Sequence, residues 1–328
     1  MRTEGSWLPT ALRTVLVLVL VVGVVSGAVQ LFRDGIGPLP GREGCTATVG
    51  EVTVDLSTEQ AENAAVIAAV GVRRGLPARA VSIALATAYQ ESKITNLDYG
   101  DRDSLGLFQQ RPSQGWGTAE QIRDPYYAAN AFYEELETVD GFESMRITEA
   151  AQLVQRSGFP EAYEDHADDA RALASALTGY SPGRFTCVAR PDEGPAQQEA
   201  ASGLTLRAEK VRADVVRAFG EQSLGGFAPG GVRDGHSEGS AHYDGRALDV
   251  FFRPVDDDSR RLGWALAHYL LAHAERLQIG TVIFDAQIWT SGTRSDSGWR
   301  DYDGGDGPGS RAVLEHRDHV HVDVVDGE

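Results

Sequence analysis

Only two cysteines, Cys45 and Cys187, occur in this chain of 328 residues, and they stand at the two ends of one Ala-rich region of helical character. In an exported protein that position suggests a disulfide tying the ends of the region together. The loop it closes is long, so the chain-entropy account assigns such a bridge about 4 to 5 kcal/mol. Two unrelated buried thiols are the plainer alternative, and zinc binding by two isolated cysteines is disfavoured.

Whether the thiols can oxidise depends on where the chain resides. Val15 to Val25 is apolar throughout except for Gly23, and with Ser26 to Phe32 it reaches about the length that crosses a bilayer. Arg2 and Arg13 precede it, which keeps residues 1–13 in the cytoplasm as a short tail. Residues 14–32 then read as a transmembrane anchor or, because Ser26-Gly27-Ala28 is a small-residue stretch, as a cleaved signal peptide. Both readings put the globular part outside the cytoplasm, membrane-anchored or secreted. The balance of 30 basic against 48 acidic residues, a net charge of −18, argues against nucleic acid as a partner.

The rest of the chain divides by composition. Residues 33–44, with Gly35, Gly37, Pro38, Pro40 and Gly41, read as a stalk. A first domain is expected over 45–187, mostly α with strands few or absent. Its helices are expected at Thr58–Arg74, Ala78–Glu91, Pro125–Leu136, Thr148–Arg156 and Pro160–Leu177. Residues 188–203, rich in Pro, Glu, Gln, Ala and Gly, read as a linker. The second domain, 204–328, opens with a helix near Thr205–Phe219. An amphipathic helix at Ser259–Arg276 lies between the strand-like runs Leu248–Phe252 and Thr281–Phe284, and His319–Val325 is a third run. That order implies an α+β domain with a small antiparallel sheet.

The second domain carries the strongest chemical pattern. A catalytic zinc usually has three protein ligands and one open position, and His242, Asp249 and His321 can supply such a set. Alternate residues of a strand share a face, so His319, His321 and Asp323 point the same way. One imidazole can then bind the metal while the other meets substrate or the metal's water. His236, His268, His273 and His316 fit no ligand spacing and read as surface or helix residues. The loop Asp301 to Gly307 lacks the spacing and the bidentate Glu of a calcium loop and reads as a mobile turn.

The segment Ser240-Ala-His242-Tyr-Asp-Gly245-Arg-Ala247-Leu-Asp249 matches every fixed position of the S-x-H-x-x-G-x-A-x-D motif of zinc D-Ala-D-Ala peptidases. With the terminal His319-Val320-His321 it resembles the wider superfamily that includes lysostaphin-like endopeptidases and hedgehog-type domains, over roughly 207–325. The resemblance implies Zn²⁺ held by His242, Asp249 and His321, and hydrolysis of a peptide bond. Those peptidases place a Glu three residues before the last ligand, where this chain has Asp318. Asp318 is shorter, and regular alternation turns it away from His321, so His319 is the favoured catalytic group and Asp318 the second. Ser240 is expected to hydrogen-bond within the site, and Arg233 to hold a substrate carboxylate or carbonyl oxygen.

Glu91-Ser92, then Ser104-Leu-Gly106-Leu-Phe-Gln109, then Asp124-Pro125, resembles the goose-lysozyme and soluble lytic transglycosylase family over about 59–177. The resemblance implies Glu91 as general acid/base on the glycosidic oxygen and Gln109 in the glycan cleft. Gln110, Trp116 and Tyr99 are further candidates for the same groove. Gln155-Arg-Ser-Gly158 stands where the family has Asn-Ala-Gly, a departure in the part that positions the glycan. Together the two resemblances imply an exported enzyme acting on the peptides and glycan strands of peptidoglycan. A wall-binding or scaffold protein without turnover, and a metal-handling protein with several weak sites, are the competing readings.

Overall fold

In the computed structural model, residues 42–157, 161–307 and 309–327 are described. The expected membrane segment, 14–32, lies outside them. Among the described residues no helix is long and apolar enough to cross a membrane, so the expected anchor is unsupported.

The first helix among the described residues, α1 (Thr58–Arg73), starts where Ser57 and Gln60 form a capping box, and it turns an alanine face inward, with Ala61, Ala64 and Ala68 buried. After Gly75 and Pro77 break the pattern, α2 (Ala78–Ser92) packs beside it, followed by α3 (Ala119–Ile122), α4 (Pro125–Leu136), α5 (Ile147–Gln155) and α6 (Ala167–Leu177). The helix expected from Pro160 begins only at Ala167, after a 3₁₀ turn at Glu164–His166.

The expectation that this region holds few or no strands is corrected. It carries a three-stranded antiparallel sheet in the order β2 (Val52–Leu56), β1 (Gly44–Val49), β3 (Phe185–Val188). These strands have four to six residues and join segments at opposite ends of the region, so local periodicity does not expose them. Cys45 and Cys187 are cross-strand partners in β1 and β3 and are joined by a disulfide.

The rest of the chain opens with α7 (Leu206–Phe219) and builds a six-stranded antiparallel sheet, larger than the small one expected. Its order is β4 (Leu224–Gly225), β5 (Ala247–Phe251), β9 (His319–Val324), β6 (Ile279–Phe284), β7 (Gln287–Thr290) and β8 (Arg300–Asp301). Alternation in β9 sends Val320, Val322 and Val324 to one face, where helix α8 (Asp257–Ala272) covers β6 and β9 with buried Trp264, Leu266 and Leu270. The other face is left to His319, His321 and Asp323.

The two halves pack on each other through α1 and α8 and are stitched by polar bonds. Tyr269 donates to Asp214 at 2.6 Å and lies 2.6 Å from the Tyr126 hydroxyl, while Arg276 forms two bonds of 3.0 Å to the same aspartate. His268 and His273, expected at the surface or on a helix, are fully buried on and just after α8. Nδ1 of His268 donates to the Ala176 carbonyl at 2.8 Å. Burial lowers both pKa values to about 4, and at His273 the nearby Arg276 charge adds to the effect.

Two predictions follow from the packing. Reduction of Cys45–Cys187 should lower the unfolding free energy by about 2 to 5 kcal/mol, read from urea midpoints with and without reductant. For His268 and His273 the unfolded chain gains protons below about pH 6.5 while the folded chain does so only near 4. Their contribution is therefore complete at neutral pH and is lost as pH falls from 6.5 toward 4. A His268→Leu variant should show a shallower loss of stability over that window than the unaltered chain.

Candidate metal centre

The polar face of the six-stranded sheet is made by register. Asp249 on β5 stands directly opposite His321 on β9, so their side chains emerge on the same side. His242 joins them from the turn that precedes β5, and Ser240 Oγ accepts a long bond, 3.4 Å, from the His242 backbone N–H within that turn. Gly245 ends the turn at a φ of 63°, where a Cβ would come within 2.4 Å of the Gly203 carbonyl, so a glycine is needed there.

Three donor atoms converge. His242 Nε2 lies 3.0 Å from His321 Nδ1 and 3.3 Å from Asp249 Oδ1, and His321 Nδ1 lies 3.2 Å from the same oxygen. A small divalent ion held tetrahedrally at ~2.0 to 2.1 Å sets its ligands about 3.3 Å apart, so the donors are already at ligand spacing. Tautomers agree with this: Nδ1 of His242 donates to the Gly226 carbonyl at 2.7 Å, which leaves Nε2 with its lone pair toward the other donors. His242, Asp249 and His321 are all buried. Burial alone would raise the Asp249 pKa, but the close approach of the His242 and His321 rings holds it far below the usual carboxylate range. Burial alone would lower His321, and the carboxylates of Asp249 and Asp323 push it up to about 9 instead.

His319 is a buried neighbour rather than a fourth corner of this cluster. Its Nδ1 donates to Asp318 at 2.7 Å, and its Nε2 faces Asp249 Oδ1 from 3.9 Å. Asp318, just before β9, accepts from His319 on one oxygen and is held on the other by Arg253 at 2.6 and 2.8 Å. Burial opposes its ionisation, but these partners keep it below its ordinary pKa. Arg233 sits exposed in the loop between β4 and β5, three residues before His236, and nothing observed ties it to the cluster.

Two histidines set aside on spacing belong to this site. His236 stacks on His242 with ring centroids 3.9 Å apart, and His236, His242 and Asp249 form a group that could hold a metal ion, their donor atoms within 4.8 Å of one another. His316 packs against His319 and His321 at 4.5 and 5.7 Å, with its pKa lowered to about 3, first by burial and then by those two rings. Loop residues carry no periodicity, so no sequence spacing marks them. Gly226 was also missed: a Cβ there would fall 2.3 Å from His242 Cε1 and 3.0 Å from Asp249 Oδ2.

Residues 200–312 match the family described as VldE, C-terminal domain. The match takes in His236, His242 and Asp249 and ends before β9. It covers well under half of the 328 residues. No curated protein matches the chain.

A second cluster lies in the helical region. Glu91, in the last turn of α2, accepts from the Tyr163 hydroxyl at 2.8 Å and is bonded by the Gln155 side chain. Burial raises its pKa against these two bonds. Ser92 donates to the Leu107 carbonyl at 2.8 Å and Gln155 to that of Phe108 at 2.7 Å, so Glu91-Ser92 and Gly106–Gln109 do meet. Gln109 itself spends its amide on the carbonyls of Tyr99 and Gly106, and Gln110 is buried against the Ala128 carbonyl. Tyr99 is 68% exposed, so it is not core. A cleft of about 740 Å³ begins at Gln155 and is lined by Trp116, Tyr127, Glu134, Glu135 and Arg156.

A Gly226→Ala substitution should displace His242 and weaken metal binding by at least about 10- to 100-fold, measured by equilibrium dialysis, while the disulfide still forms.

Proposed function

We propose that the chain is an exported peptidoglycan-remodelling enzyme, a zinc-dependent peptidase on wall cross-linking peptides combined with a lysozyme- or transglycosylase-like glycan module. The observation that carries the reading is the convergence of His242 Nε2, Asp249 Oδ1 and His321 Nδ1 at 3.0 to 3.3 Å beside a histidine fixed by Asp318. Two imidazoles and one carboxylate form a donor set suited to zinc. When bound, zinc would lower the pKa of a water and polarise the scissile carbonyl.

The chain's own residues divide the remaining work. Asp318 holds the Nδ1–H of His319, which leaves Nε2 free to take a proton from the attacking water and return it to the leaving amine. Arg253 keeps Asp318 ionised for that purpose. The match of Ser240 to Asp249 with the D-Ala-D-Ala peptidase motif, and the terminal His pair, support the same reaction. For the glycan, a Glu91 with raised pKa at the end of a helix is suited to donate a proton to a leaving oxygen. The Cys45–Cys187 disulfide supports an oxidising compartment.

Digestion of purified peptidoglycan by the zinc-loaded chain, read by mass spectrometry, should release fragments with new peptide termini. His242→Ala should abolish them. His319→Ala should keep zinc and slow release by about 10²- to 10⁴-fold, and Asp318→Asn by about 10- to 100-fold. Glu91→Gln should lose glycan cleavage and keep peptide cleavage. No cleaved product of either kind from the unaltered chain would leave a wall-binding protein and end the enzymatic reading.

A further inference from the structure

We propose that His236 is a fourth protein donor to the metal, laid over the site by the loop between β4 and β5, so that the resting centre is closed by the chain itself. The inference rests on the metal reading given above and adds a ligand to it. Three protein donors leave a zinc site open to water and substrate, whereas four close it.

The position of His236 has two separate causes. Its ring lies on that of His242, with centroids 3.9 Å apart and planes 23° from parallel. Its backbone is clamped by Tyr243, whose hydroxyl accepts from the His236 N–H at 3.1 Å and donates to the His236 carbonyl at 2.6 Å. Tyr243 directly follows the ligand His242, so the turn that places one imidazole also fixes the loop that carries the other. The result is a donor atom within 4.8 Å of those of His242 and Asp249. Substrate entry then requires the ring to leave, and the loop is its hinge.

X-ray absorption of the zinc-loaded full chain counts bound imidazoles without reference to turnover. The proposal expects three for the unaltered chain and two for His236→Ala and His236→Gln, with zinc affinity weakened at least about tenfold. Tyr243→Phe, which keeps the turn but loses the clamp, should weaken zinc less. Two imidazoles in the unaltered chain would overturn the role of His236 while leaving the metal site intact. Failure to bind zinc at all would overturn both readings.

Discussion

The pairing of β5 with β9 is the constraint on which the functional part of the molecule depends. One register step sets Asp249 opposite His321 and, two residues along, His319 opposite Phe251. A slip by one residue would exchange the valines of β9 for its histidines, burying imidazoles under α8 and exposing the core. The apolar face of the sheet therefore enforces the polar one: Val320, Val322 and Val324 against Trp264 and Leu270 hold the histidines in place.

A cluster of buried imidazoles and carboxylates is costly unless each group has a partner. Here Gly226 gives its carbonyl to His242 and its missing side chain to the space that His242 and Asp249 occupy. Arg253 and His319 share Asp318, and Asp323 stands 3.6 Å from His321 Nε2. Such an arrangement orients each ring by the bond made at its far nitrogen, which is how a protein fixes metal ligands before the metal arrives.

Much of this was legible in the sequence because it rests on short-range regularities. Helical spacing marked α1, α2 and α4 closely, and alternation in His319–Val324 placed two histidines on one face. The cysteine positions foretold the bridge that the β1–β3 pairing makes. What escaped was made by contacts between distant segments without periodicity. The three-stranded sheet joins residues near 45 to residues near 187, and β4 and β8 are only two residues long. His236 and His316 reach the centre from loops, and His268, a helix residue as its spacing allows, fills the core against Phe185, Trp264 and Trp299, which no local pattern shows. Gln109 carries a family-like motif, yet its amide is used up within its own loop.

The central claim is that cross-strand Asp249 and His321, with His242, form one metal centre. Native mass spectrometry of the full chain titrated with zinc tests it most directly. The account predicts a single zinc per chain that is retained in Glu91→Gln and lost in both Asp249→Asn and His321→Ala. Zinc bound equally well by all four proteins, or several weakly bound ions per chain, would contradict it.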